Sequence, residues 1–192
     1  PCCKNRHGME GQLQELARQV QLLQCGSPAE VRAASKTLAD FQRSRGALRL
    51  ALPLLTSTPF ACAFAAQSLA QRARIGAPED AAEWPEVAQK ILELLCTEHQ
   101  TNLPRLAQRQ LCVALSRCFV ALGDEWPEAV PTALQKLGTL EQLTPLLEFL
   151  QALAEEPFSR RLLVDGSLRS RFLLALRRRE AAIFAALNEV PP

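Results

Sequence analysis

Apolar side chains recur at intervals of three or four residues along most of the chain, which is the spacing of one face of an α-helix. A clear example is the stripe formed by Leu13, Leu16, Val20 and Leu23. Polar residues fill the positions between, so the pattern predicts amphipathic helices joined by short turns. The predicted helices cover about residues 11–24, 28–45, 46–56, 59–75, 85–96, 104–122, 127–137, 140–156 and 167–190.

Several of these predicted helices are preceded by residues that favour a helix start. Ser27 stands three residues before Glu30, with a proline between them, and this is the spacing of a capping box. Thr58 precedes Pro59 in the same way. The segments that open with Trp84-Pro85 and Trp126-Pro127 nearly repeat each other and lie 42 positions apart. A repeat of about 40–47 residues is typical of stacked helical pairs of the HEAT or armadillo kind.

The composition agrees with a fold made of helices alone. Ala, Leu, Gln, Arg and Glu dominate, tyrosine is absent, and no segment alternates apolar and polar residues as a strand would. We therefore predict an all-α protein, an α-α superhelix of about four and a half HEAT-like pairs. Residues 1–8 are expected to be a disordered leader before a repeat segment over 9–190. The last helix, 167–190, has no second helix to pair with, and it is expected to dock on the fourth pair through Phe172 and Leu176.

Little in the sequence indicates catalysis or a bound metal. His99 is the only histidine within the repeats, and no phosphate-binding glycine loop or nucleophile–base spacing is present. Cys2, Cys3 and His7 lack a second ligand pair at zinc spacing. Most of the seven cysteines fall within helical patterns, where thiols behave as small apolar side chains and indicate a reducing compartment. We expect neither an enzyme nor a cofactor. The adjacent acids Glu155 and Glu156 are expected to be hydrated.

Basic side chains on the second helix of each pair are the main candidates for partner contacts. Such solenoids bind along the concave face that these helices line, although a merely solvated face is the competing interpretation. The candidates are Arg32, Lys36, Arg72, Arg74, Arg109 and Arg117. The net charge of +2 decides nothing further, and no run of about 18 apolar residues predicts a membrane span. The arginines at 177–179 spread around a helix, so direct nucleic-acid binding is not expected.

A second candidate is the set formed by Phe64, Gln67 and Leu69 on the helix over 59–75. These residues are interpreted either as a binding box or as ordinary helix-to-helix packing, and packing explains them at least as well.

Four segments in register resemble importin-β-type nuclear transport receptors. They are Leu38–Ser44 followed by Ala47 and Leu48, Phe64–Leu69, Arg109–Ser116 followed by Trp126–Val130, and Leu146–Leu150 with the residues up to Arg160. The last of them is similar to the transportin-SR and importin-thirteen branch in particular. The resemblance covers about residues 9–190. Receptors of this family are usually acidic, whereas this segment is slightly basic.

The resemblance implies the N-terminal part of a nuclear import receptor. Such a segment would bind the GTP form of Ran, while protein cargo would bind further repeats, and nucleoporins would be contacted during shuttling between cytoplasm and nucleus. Neither a membrane nor a cofactor is implied. The alternative is a HEAT scaffold that organises a cytoplasmic complex without a nucleotide switch, because both classes use the same stacking of helical pairs.

Overall fold

The helices of the computed structural model begin and end close to where the apolar periodicity predicts them. The structure describes residues 2–75, 82–97, 103–122, 129–137, 143–158, 166–178 and 180–188, and these ranges contain helices and turns but no strand. In chain order the helices are α1 (Cys2–Cys25), α2 (Pro28–Arg43), α3 (Ala47–Leu54), α4 (Pro59–Ile75), α5 (Trp84–Cys96), α6 (Arg105–Leu122), α7 (Ala129–Leu137), α8 (Leu143–Glu155), a 3-10 turn (Glu156–Phe158), α9 (Gly166–Arg178) and α10 (Glu180–Asn188).

The helices stack as successive pairs in two layers. Within each pair the two helices pack on each other: α1 on α2, α3 on α4, α5 on α6 and α7 on α8. The first helices of neighbouring pairs also pack together, as do the second helices, in the series α2, α4, α6 and α8. This arrangement confirms the predicted all-α superhelix.

Local capping fixes two of the helix starts. The Ser27 hydroxyl accepts a hydrogen bond from the Glu30 backbone N–H, and the Glu30 carboxylate accepts one from the Ser27 N–H at 2.8 Å, which completes the predicted capping box. The Thr58 hydroxyl accepts from the Ala61 N–H and starts α4. Trp84 begins α5, as predicted, and its side chain is 1% exposed. Its predicted counterpart, Trp126, lies outside the described residues.

Small side chains determine how closely the second helices approach. On α4 half of the buried residues are alanines, which lets α6 lie against it along much of its length. These alanines belong to one continuous apolar core that runs from Leu16 to Leu153. Because the core is shared by successive pairs, contacts with the pairs beside it contribute to the stability of each pair.

Both ends of the chain depart from the prediction. Helix α1 begins at Cys2, so residues 2–8, predicted as part of a disordered leader, continue into the first helix. The region predicted as one unpartnered helix over 167–190 contains α9 and α10. Helix α10 packs on α7, α9 contacts α6 and the 3-10 turn, and Leu176 packs against the core. The expectation of a single helix without a partner in the chain is therefore wrong, whereas the expected docking on the fourth pair and the packing of Leu176 are confirmed. The side chain of Phe172, expected to dock with Leu176, lies outside the described set.

Candidate functional site

Two of the six basic residues predicted to face a partner are buried. Arg72 on α4 is 2% exposed and Arg117 on α6 is 7% exposed. Each lies at the side of its helix that faces the neighbouring second helices. The prediction that these two arginines contact a partner at the surface is wrong, and so is its alternative of a solvated face. A guanidinium can be buried only where carboxylates or carbonyls replace its water.

Arg117 holds three consecutive second helices together. Its Nη1 donates to the backbone carbonyl of Ala70 on α4 at 2.7 Å. Its Nε and Nη2 reach Oε2 of Glu156, just beyond α8, at 2.8 and 2.7 Å. Glu156 is itself buried, which corrects the expectation that it is hydrated. Charge-assisted hydrogen bonds of this length are the strong kind, and a buried pair depends on them.

Arg72 makes the corresponding link one pair earlier. It lies on α4 at 45 positions before Arg117, and its Nη1 donates to the carbonyl of Arg43, the last residue of α2, at 3.0 Å. A cation near the C-terminal carbonyls of a helix also complements the helix dipole. Arg72 and Arg117 therefore join α2, α4, α6 and the end of α8 in series. We call this set of bonds the arginine links.

The other four predicted residues remain accessible to different degrees. Arg109 is exposed and lies 3.7 Å from Glu155 on α8. Arg74 is half-buried and donates to Gln71 on its own helix. Arg32 and Lys36 lie one helical turn apart on α2, both are exposed, and neither has an ion-pair partner among the described residues. The basic charge most available to a partner is thus on α2.

An apolar groove lies between α1, α4 and α6. Three of its lining side chains are large, apolar and open to solvent: Leu23 of α1, Phe60 of α4, which is 61% exposed, and Leu106 of α6, which is 64% exposed. Val20 and Phe64 lie at its floor, and the groove holds about 350 Å³. Exposed apolar groups that converge from three helices mark an interaction surface more often than scattered single ones do.

Apart from Ala63, the other described residues that line this groove are polar but uncharged. Gln24, Gln67 and Gln110 come from α1, α4 and α6 in turn. Of the predicted binding box, Phe64 and Gln67 line the groove, whereas Leu69 is fully buried in the core. Leu106 is not among the residues predicted from the sequence. Leu106 could have been recognised in the sequence as an apolar residue on the polar side of a predicted helix.

The thiols behave as the predicted apolar side chains, with one exception. Cys62, Cys112 and Cys118 are buried, and all five described cysteines from Cys25 onward are free. Burial raises the pKa of the Cys62 thiol to about 11 and raises that of Cys118 as well, so both stay protonated at neutral pH. Cys25 is exposed instead. In the described part of the chain no group of His, Cys, Asp and Glu side chains could hold a metal ion.

Comparison with known proteins gives no family assignment. No protein-family model matches the chain, and no curated protein matches it. Among the described helices, none combines the length and the apolar character that crossing a membrane requires. Two surfaces are candidate sites, namely the basic pair on α2 and the apolar groove.

Proposed function

We propose that this chain is the N-terminal helical-repeat segment of a nuclear import receptor and binds the GTP form of Ran without chemistry of its own. The observation that carries the proposal is the exposed basic pair Arg32 and Lys36 on α2. These charges stand on a second helix of a stacked-pair superhelix, the element that such folds use for binding. Their side chains are free to pair with acidic groups of a partner.

The burial of Arg72 and Arg117 restricts the proposed contact surface. Both guanidinium groups already have internal acceptors, so they support the superhelix and not the partner. Arg109 and Arg74 have intramolecular partners as well, and partner binding there would have to exchange one interaction for another. The proposed contact with Ran is accordingly centred on α2. Cargo and nucleoporin binding, and shuttling between cytoplasm and nucleus, follow from the same proposal.

The test is the binding of the whole chain to Ran loaded with a slowly hydrolysed GTP analogue or with GDP. The proposal expects binding in the GTP state only. The double variant R32E/K36E should weaken it at least tenfold, because two attractive contacts become repulsive. The control is R49E/K90E, which makes the same change in net charge on exposed residues of α3 and α5 and in addition breaks their ion pairs with Glu83 and Glu93. Far-UV circular dichroism should be unchanged in both variants.

Three outcomes would contradict the proposal. Equal binding of the two nucleotide states removes the switch and favours the scaffold alternative. Absence of binding to either state removes Ran as the partner. If R32E/K36E and R49E/K90E weaken binding equally, the effect is one of net charge, and α2 is not the contact surface.

A further inference from the structure

We infer that the apolar groove between α1, α4 and α6 is a second docking surface, and that its occupant is an amphipathic helix of a protein partner. The contacting stripe of that helix carries apolar residues and no charge. This surface is separate from the basic pair on α2, so the inference does not depend on the proposed binding of Ran.

The lining of the groove indicates a protein partner. Apolar side chains occupy its centre, with Phe60 and Leu106 as the most exposed, and three glutamines stand among them. An apolar centre with polar, uncharged surroundings and few charges is the composition of a protein–protein interface. The volume of about 350 Å³ is at the small end of the roughly 300–1,000 Å³ that ligand pockets occupy. It suits a few anchoring side chains better than a whole cofactor.

The length of the groove favours a helix. Along α4 its lining runs from Phe60 to Gln67, which is two helical turns or about 10 Å. A helix that docks in a groove anchors itself through residues at i, i+4 and i+7, and these span the same distance.

The uncharged lining disfavours a charged occupant. None of the described residues that line the groove carries a charge, whereas charged residues make up 22% of the chain. A charged side chain from the partner would lose its water in the groove without gaining an opposite charge. The partner stripe must therefore be neutral, and its binding should depend little on salt. Binding at Arg32 and Lys36 should instead weaken as salt screens it.

The experiment uses the whole chain and a fluorescein-labelled synthetic helix with leucines at i, i+4 and i+7 among alanine, glutamine and balanced Lys–Glu pairs. A second peptide has the same composition but places the leucines at i, i+2 and i+4. Fluorescence anisotropy is measured at about 50 mM and about 500 mM salt. We expect saturable binding of the first peptide only, with affinities at the two salt concentrations that agree within about threefold.

Three variants with two matched controls locate the contact. Phe60→Ala and Leu106→Ala should each weaken binding at least tenfold, and Gln67→Glu should do the same by placing a charge in the groove. All three side chains are exposed, so the fold should tolerate these changes. The controls are Phe184→Ala and Leu147→Ala, which remove equally exposed side chains outside the groove and should leave binding unchanged.

Several results would overturn the inference. The first is the absence of saturable binding up to about 1 mM peptide. The second is equal binding of the two peptides, and the third is an equal loss of affinity in the groove variants and in the controls. Concentration-dependent dimers in sedimentation that Phe60→Ala abolishes would assign the groove to a second copy of this chain instead. Loss of nucleotide-dependent Ran binding, with helix binding retained, would contradict only the proposed function.

Discussion

Removing the Arg117 side chain should destabilise the protein far more than removing any exposed arginine. In Arg117→Met the carboxylate of Glu156 stays buried but loses its only described cation, and the carbonyl of Ala70 loses a donor at 2.7 Å. Breaking a buried pair from one side costs about 3–5 kcal/mol. For a chain of this length, 1 kcal/mol shifts Tm by about 2–4 °C, so Tm should fall by roughly 6–20 °C.

The chain contains a matched control that joins the same two elements. Arg109 and Glu155 also connect α6 to the end of α8, but they lie 3.7 Å apart and both are exposed. An exposed pair contributes about 0–1 kcal/mol. Arg109→Met should therefore lower Tm by no more than about 4 °C. The comparison keeps the substitution and the connection between α6 and the end of α8 constant, whereas burial, the length of the ion pair and the bond to Ala70 on α4 differ.

The assay is thermal and urea unfolding followed by the helical far-UV circular dichroism signal. A second arm is the double variant Arg117→Met with Glu156→Leu, which removes both charges. It should recover much of the lost stability, because an apolar pair of similar volume can replace a buried ion pair. Two results would show that the buried pair does not stabilise the fold through its charges. One is an equal loss of stability in Arg117→Met and Arg109→Met, and the other is a double variant that is as unstable as Arg117→Met.

Three further predictions test the packing and the caps. Ser27→Ala should cost about 1 kcal/mol in urea unfolding. The hydrogen bonds with Ser27 hold the pKa of the Glu30 carboxyl below its usual 4.5. The stability that this cap contributes should therefore be lost as the pH falls below that value, and Ser27→Ala should lose less stability over the same pH range. Trp84→Ala should cost about 3–5 kcal/mol by leaving a cavity, whereas Phe60→Ala should cost much less in the same assay. In maleimide labelling mapped by mass spectrometry, Cys25 should react in the native protein, and Cys62 and Cys118 only after denaturation.

Helix positions could be predicted because their signals are local. Helix α4, predicted over 59–75, spans Pro59–Ile75 because Thr58 and Pro59 define its start in the sequence itself. The capping box at Ser27 is a relation between residues three apart, so it too is visible without a structure. The stacking in two layers followed from the repeat spacing, since helical pairs with apolar stripes can bury those stripes only against neighbouring pairs.

The candidate site was harder to predict because burial of a charge depends on distant residues. Arg117 finds its acceptors at Ala70 and Glu156, and nothing near Arg117 in the sequence indicates either. One local sign was present: Arg72 follows buried Leu69 by three residues, which places it close to the apolar stripe of α4. Glu155 and Glu156 are adjacent and chemically the same, yet only Glu156 points inward. The groove was missed because Leu23, Phe60 and Leu106 belong to three separate helices.

The arginine links and the groove share the contact between α4 and α6, so a change in one should reach the other. Arg117 ties α6 to Ala70 in the later part of α4, while Phe60 and Leu106 face the groove from the early parts of the same two helices. If the link sets how these helices lie against each other, Arg117→Met should weaken binding of the helical peptide severalfold. This binding is measured at a temperature at which the variant is still folded. Arg109→Met should leave binding of the helical peptide unchanged. Binding that is unaffected while the variant remains folded would mean that alanine packing alone positions α4 against α6, and the links would then contribute stability without shaping the surface.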